Sequence, residues 1–239
     1  MKKILLALTV SAFIGGTAQA SGWGYEGEHG PDHWGSVSKT CAEGVNQSPI
    51  DVAKVAKAQL KPLKFHYTGK VTDLTNNGHS LQATVTGDNT LTIDGDVFEL
   101  KQFHFHTPSE NLINHHQYPL EAHFVHADKN GNLAVVAVMY EMGDKNSELD
   151  KLTSSLPTVH KTQKLTAPFD VSDMLPANVD KYYRFNGSLT TPPCSEGVRW
   201  FVIKQTGTLS AEQEKALKGM MGHNNRPVQK RNARLVVEN

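Results

Sequence analysis

The chain has 239 residues, with 24 Lys and Arg against 24 Asp and Glu and 38% hydrophobic residues. That is enough for one large domain or two small ones. The balanced charge, with no basic run longer than "QKRNAR" (229–234), excludes a nucleic-acid partner, which would need a basic face or stripe.

The N-terminus reads as targeting rather than fold. Lys2 and Lys3 precede the apolar run "ILLALTVSAFIGG", and Ala18-Gln19-Ala20 supplies a small-residue cleavage site. The run is shorter than the roughly 20 residues a spanning helix needs. Residues 1–20 are therefore expected to be a signal peptide cleaved after Ala20, leaving a slightly acidic domain over 21–239. No later segment is apolar enough to span a bilayer. The two cysteines, Cys41 and Cys194, both fall in the mature part. In an exported chain an even pair predicts one disulfide.

Residues 21–50 are rich in Gly, Trp, Tyr and turn formers and predict an irregular arm. From residue 63 the pattern is one of short strands. "LQATVT" (81–86) alternates, and "LTIDGDVFEL" (91–100) is a hairpin around Asp94-Gly95. "LEAHFVHA" (120–127) and "LAVVAVMY" (133–140) form a second hairpin through "DKNGN", and "VRWFVIK" (198–204) is a further strand. Two helices are predicted. One is "SELDKLTSSL", capped by Ser147; the other is "SAEQEKALKGMMG", with a Ser210–Gln213 capping box and a stop at Gly222. Without repeats or linkers, the expectation is a single, predominantly β domain with short peripheral helices.

Twelve histidines are present, of which His29, His33, His66, His115, His116, His126 and His160 read as surface or supporting residues. His104 and His106 differ. In "QFHFH" they alternate with Phe103 and Phe105, so a strand places both imidazoles on one face and both phenyl rings on the other. Imidazole nitrogens are good zinc ligands, and a third histidine on a neighbouring strand would leave a fourth position open. His123, sharing a strand face with Glu121 and Val125, is the leading candidate. His126 on the opposite face is its rival, and strand parity alone does not decide between them.

Seven motifs bear on that choice: "QSPIDV" (47–52), "NNGHS" (76–80), "QFHFHTPSEN" (102–111), "EAHFVH" (121–126), "GSLTTPPC" (187–194), "VRW" (198–200) and "NNRP" (224–227). In this order, and running through nearly the whole mature chain, they resemble the α-class carbonic anhydrases. "FHFHTPSEN", where animal members have Trp-Gly after the second His, is similar to the bacterial exported branch. Asn225 stands where animal members commonly have Trp.

The resemblance implies one domain around a large, mostly antiparallel sheet, and a periplasmic location. It implies reversible hydration of CO2 to bicarbonate by hydroxide generated at one Zn2+ held by His104, His106 and His123, and so selects His123 over His126. Gln102 and Glu121 would orient His104 and His123, and a backbone carbonyl near Asn224 would orient His106. Glu110 and Thr190 match the family's gating pair, and Thr191 a contact to bicarbonate or water. Val125, Val135, Leu189, Val198 and Trp200 match the apolar wall for CO2. His79 matches the proton shuttle, with Tyr25, Asn77 and Gln82 along its water chain. Anions and sulfonamides are implied as inhibitors, and a homodimer is compatible with the family. Two other readings compete: a zinc-binding or adhesion module without turnover, and a zinc hydrolase of esters.

Overall fold

The computed structural model describes residues 22–239, so the expected signal peptide lies outside the described residues. The chain forms a thirteen-stranded, mostly antiparallel sheet with three short α-helices at its margins. Eight strands carry the architecture: β1 Lys70–Asn76, β2 Leu81–Val85, β3 Asp96–His106, β4 Leu120–Ala127, β5 Leu133–Met142, β6 Lys161–Asp170, β7 Tyr182–Ser188 and β8 Glu196–Ile203. Their order across the sheet is β6-β1-β2-β3-β4-β5-β8-β7. Beyond β7 the sheet continues through Val237–Glu238 and Ala56–Lys57.

Both hairpins read from the sequence are present. Asp94 and Gly95 take positive φ values of 55° and 101°, the left-handed pair that a tight two-residue turn requires. The β4–β5 turn is closed by the Asp128 carboxylate, which accepts from Asn130 N and Asn132 N at 2.8 Å each.

Alternation assigns the two faces of the sheet. Phe103, Phe105, Phe124, Val136, Val138 and Phe201 point into the larger core, while Val135, Ala137, Met139, Val198 and Trp200 enter a second core on the other face. The continuously apolar "LAVVAVMY" follows from this, because β5 is buried on both sides. It also makes a parallel pair with β8, the kind of pairing found in strands covered on both faces. Burying one Phe side chain contributes about 1.5–3 kcal/mol. The Phe face of β3 thus fixes which way its histidines point.

The helices depart from expectation at one cap. Asn146, rather than Ser147, caps the helix Ser147–Thr153: its side chain accepts from Glu148 N and Leu149 N at 3.0 and 2.9 Å. The Ser147 hydroxyl instead donates to Glu148 Oε2. An amide oxygen one residue earlier reaches both free N–H groups, and the following hydroxyl is then not needed there. The Ser210–Gln213 capping box forms as read, and its helix Ala211–Met221 stops at Gly222 with φ 65°.

The N-terminal arm is short 3₁₀ turns and one helix, Lys39–Glu43, packed around the buried Trp34. Cys41 and Cys194 form the expected disulfide, closing a separation of 153 residues. In the chain-entropy account a loop of that size is worth about 5 kcal/mol. Replacing both cysteines by serine should therefore lower the unfolding free energy by up to that amount. Denaturant titration would show it; an unchanged midpoint would mean that the bridge does not restrain the unfolded chain.

Candidate metal centre

Register brings the histidines together. Across β3 and β4, His104 pairs with His123 and His106 with Glu121, after a bulge between Leu100 and Gln102. One side-chain nitrogen from each of His104, His106 and His123 lies within 4.8 Å of the others. His126 is turned to the opposite face, where its Nε2 meets the Tyr67 hydroxyl and burial pulls its pKa down to about 4.

The remaining nitrogen of each imidazole is held by an acceptor. His104 Nδ1 donates to Gln102 Oε1 at 2.8 Å, His106 Nδ1 to Asn224 O at 2.7 Å, and His123 Nε2 to Glu121 Oε1 at 2.8 Å. These contacts fix the tautomers, because a carbonyl and a carboxylate can only accept. Each ring therefore turns an unprotonated nitrogen toward the common centre, and His106 Nε2 is buried there with no hydrogen-bond partner among the described residues. Burial first, and the neighbouring imidazoles second, hold His104 well below the ordinary histidine pKa. Burial likewise lowers His106 and His123. Three neutral, oriented imidazoles with an orphaned nitrogen among them fit a zinc ion, and the acceptors behind them fit the usual outer support of such a site.

Glu121 is itself anchored, accepting from Glu110 N, Asn111 N and Asn111 Nδ2 at 2.7, 2.9 and 2.8 Å. Glu110 is buried beside it. Burial pushes its carboxyl well above the usual range, while the Arg226 N–H, donating at 2.8 Å, and the nearby Thr190 hydroxyl oppose that rise. The Arg226 contact is the tight one; Oε2 of Glu110 has no hydrogen-bond partner among the described residues. Arg226 was not singled out in the sequence beyond its place in "NNRP". Its buried guanidinium binds Gln47 Oε1, Ser48 O and Cys41 O at 2.8–2.9 Å, tying Glu110 to the arm.

Beside the histidines, Val135, Val198 and Trp200 are buried in one apolar cluster, with Val125 and Leu189 packed against it. The Trp200 ring meets His123 edge-on at 4.9 Å. Trp200 Nε1 donates to Ser188 O, so the indole is fixed by its polar edge. On the other side a cavity of about 150 Å³ is lined by Tyr25, Asn77, His79, Gln82, Gln102, His104, His106 and Thr191, together with Trp23 and Ser80. Asn77 shapes its rim by accepting from His79 N and Ser80 N at 2.9 and 2.8 Å. Trp23, which sequence reading passed over, stacks on His79 with centroids 3.8 Å apart and planes 10° apart. Its only signal was the aromatic richness of the arm.

The three histidines thus lie between an apolar cluster and a cavity with polar lining. Comparison with known proteins identifies the class. The family model described as eukaryotic-type carbonic anhydrase matches residues 29–239. The chain is 48% identical over 246 residues to a carbonic anhydrase of Klebsiella pneumoniae, covering 99% of this chain and 98% of that one. It is 44% identical over 243 residues to a carbonic anhydrase of Neisseria gonorrhoeae, covering 98% and 95%. Among solved structures, the Photobacterium profundum α-carbonic anhydrase superposes with a TM-score of 0.88 at 57% identity, covering 90% of this chain and 99% of that one. The α-carbonic anhydrase of Thermovibrio ammonificans, in complex with the inhibitor sulfanilamide, gives 0.87 at 48%, covering 90% and 98%. This chain belongs to the α-carbonic anhydrase family and is a carbonic anhydrase by that membership.

His104→Ala should abolish stable zinc binding, and Gln102→Ala should weaken it by roughly 10–100-fold, the usual effect of losing such support. Competition with a zinc-chelating dye reads both. Undiminished affinity in the His104 variant would remove His104 from the ligand set.

Proposed function

We propose that the protein interconverts CO2 and bicarbonate at a zinc ion held by His104, His106 and His123. The observation that carries this reading is the convergence of three neutral imidazole nitrogens, each oriented by an acceptor behind it, against an apolar wall. Zinc bound there would act as a Lewis acid, making hydroxide available from water near neutral pH.

The protein's own groups supply the rest. The Thr190 hydroxyl directs its O–H toward Glu110 as a hydrogen-bond donor, so its oxygen is left to accept from a protonated group at the centre. That favours ligands carrying a proton and directs a lone pair toward the wall. Val125, Val135, Leu189, Val198 and Trp200 receive CO2, an apolar molecule that offers no handle for polar anchors. Thr191 lies across the cavity, where it can hold bicarbonate or water. His79 takes the proton released by each turnover through water lined by Tyr25, Asn77 and Gln82. Burial lowers the pKa of His79, so it is neutral and ready to accept at neutral pH.

A zinc-binding or adhesion module would use the three histidines alone and leave Thr190, Glu110 and the wall without a role. An ester hydrolase would need anchors for an acyl group, which an apolar wall does not offer. The sulfanilamide complex of the Thermovibrio relative supports inhibition of this chain by sulfonamides. The disulfide supports an exported protein. With the N-terminal pattern it favours the periplasm and a mature chain beginning at Ser21.

Stopped-flow CO2 hydration, before and after chelation of zinc and its return, tests the assignment. Activity should vanish with the metal and come back with it. A folded, zinc-loaded protein that hydrates no CO2 would overturn the reading. In the same assay His79→Ala should lower kcat in weak buffer by about tenfold or more, with added imidazole restoring it. An unaltered kcat would mean that another group accepts the proton.

A further inference from the structure

His160 is the exposed turn residue immediately before strand β6, one of the histidines that the sequence reads as surface. Its backbone sits at φ 60°, in the left-handed region that residues with side chains seldom occupy. Its N–H donates to Asn76 O at 2.8 Å, which pins it to the start of the "NNGHS" turn. The ring then lies directly on Gly78. A Cβ on Gly78 would come within 2.6 Å of His160 Cε1 and 3.3 Å of both ring nitrogens, and Gly78 itself has φ 88°. The turn therefore has a glycine, immediately before His79, at the point where a second imidazole rests. The two histidines are near enough that a charge on His160 acts on His79.

His79 is poorly placed to finish a proton transfer unaided. It is half-buried, its ring is stacked flat on Trp23, and it faces the cavity that holds His104 and His106. A shuttle in that position can take up a proton easily but has only part of its surface from which to release it to buffer. His160 presents an imidazole to solvent on the outer side of the same turn.

Building on the assignment of His79 as first proton acceptor, we propose that His160 is the second imidazole of a two-step relay, carrying the proton from His79 to bulk buffer. In the first step a water in the cavity gives up an O–H proton, and an N–H bond forms on neutral His79. In the second, the His79 imidazolium gives up a ring N–H proton to a neutral ring nitrogen of His160, directly or through one water. His160 then releases a proton to a buffer base. Both imidazoles end neutral, and no electrons leave or enter. The lowered pKa of His79, from burial first and His160 second, makes its protonated form a readier donor. Lys161 follows His160 in the chain, and Tyr25, Glu26, His29 and His223 line a neighbouring cleft that includes Gly78, Tyr25 being shared with the cavity of His79. His223→Ala is therefore the control for a general loss of surface imidazole.

The test uses the zinc-loaded enzyme and His160→Asn, because Asn tolerates a left-handed backbone; His160→Gln serves as a second variant. In weak buffer kcat should fall by about tenfold, less than or comparable with the effect of His79→Ala, while kcat/KM is retained and imidazole restores kcat. Added to His79→Ala, the His160 substitution should cost nothing more, since the two act in series. A readout independent of turnover is the titration of the His79 ring by NMR in metal-free protein, which should move toward higher pH when His160 is replaced. If His79→Ala slows turnover but the His160 variants do not, the relay is wrong and the role of His79 stands. If kcat and kcat/KM fall together with the melting temperature and imidazole restores neither, His160 is only a packing residue. An unmoved His79 titration would also overturn the proposal. If His79→Ala itself leaves kcat unaltered, the first acceptor is misassigned and the relay falls with it.

Discussion

The pairing of His104 with His123 across β3 and β4 is the constraint on which the site depends. A strand slipped by one residue would send every side chain to the other face, so the metal centre exists in one register only. That register is held from below. Phe103 stacks on Phe124 with centroids 5.0 Å apart, and Phe105 is buried beside Ala122 and Leu120 in the same core. The apolar effect on one face of the sheet thus holds three imidazoles in place on the other. It does so without polar bonds having to choose the strand pairing.

Once the rings are gathered, burial does the electrostatic work. Taking an imidazole out of water penalises its charged form, so the three histidines stay neutral and keep a lone pair for a metal. The acceptors Gln102, Glu121 and Asn224 O then decide which nitrogen that is. Their own positions are fixed at longer range. Asn224 is locked by contacts to Thr107, Phe105 and His79, and Glu121 by Glu110 and Asn111. Arg226 connects the same region to the arm and the disulfide, so a segment near the C-terminus and one near residue 41 meet behind the metal centre.

The two sides of the centre follow from the two lengths of strand that meet there. Toward β5 and β8 the sheet is buried on both faces, which makes the wall apolar. Toward β1 and β2 lies the "NNGHS" turn, where side chains reach solvent. In the proposed reaction, the division of labour between CO2 and proton follows from where the sheet is covered and where it is open.

Much of this was legible in the amino-acid sequence. Alternation in "QFHFH" set both histidines opposite the phenyl rings, the Asp94-Gly95 turn and the capping box could be read locally, and the count of two cysteines was enough for the disulfide. The spacing of Gln102 and Glu121, two residues before a histidine, already put each on the face of its partner. What local pattern left open was decided by tertiary structure. Parity could not say whether His123 or His126 joins the pair, because that depends on which face of β4 lies against the Phe layer. The cap at Asn146, the grip of Arg226 on Glu110, the stacking of Trp23 on His79 and the seat of His160 on Gly78 join residues from 56 to 116 positions apart or turn on a single atom's reach. Periodicity reports the direction of a side chain along its own strand. It carries no information on which distant segment comes to meet it, and that is set by how the whole sheet is covered.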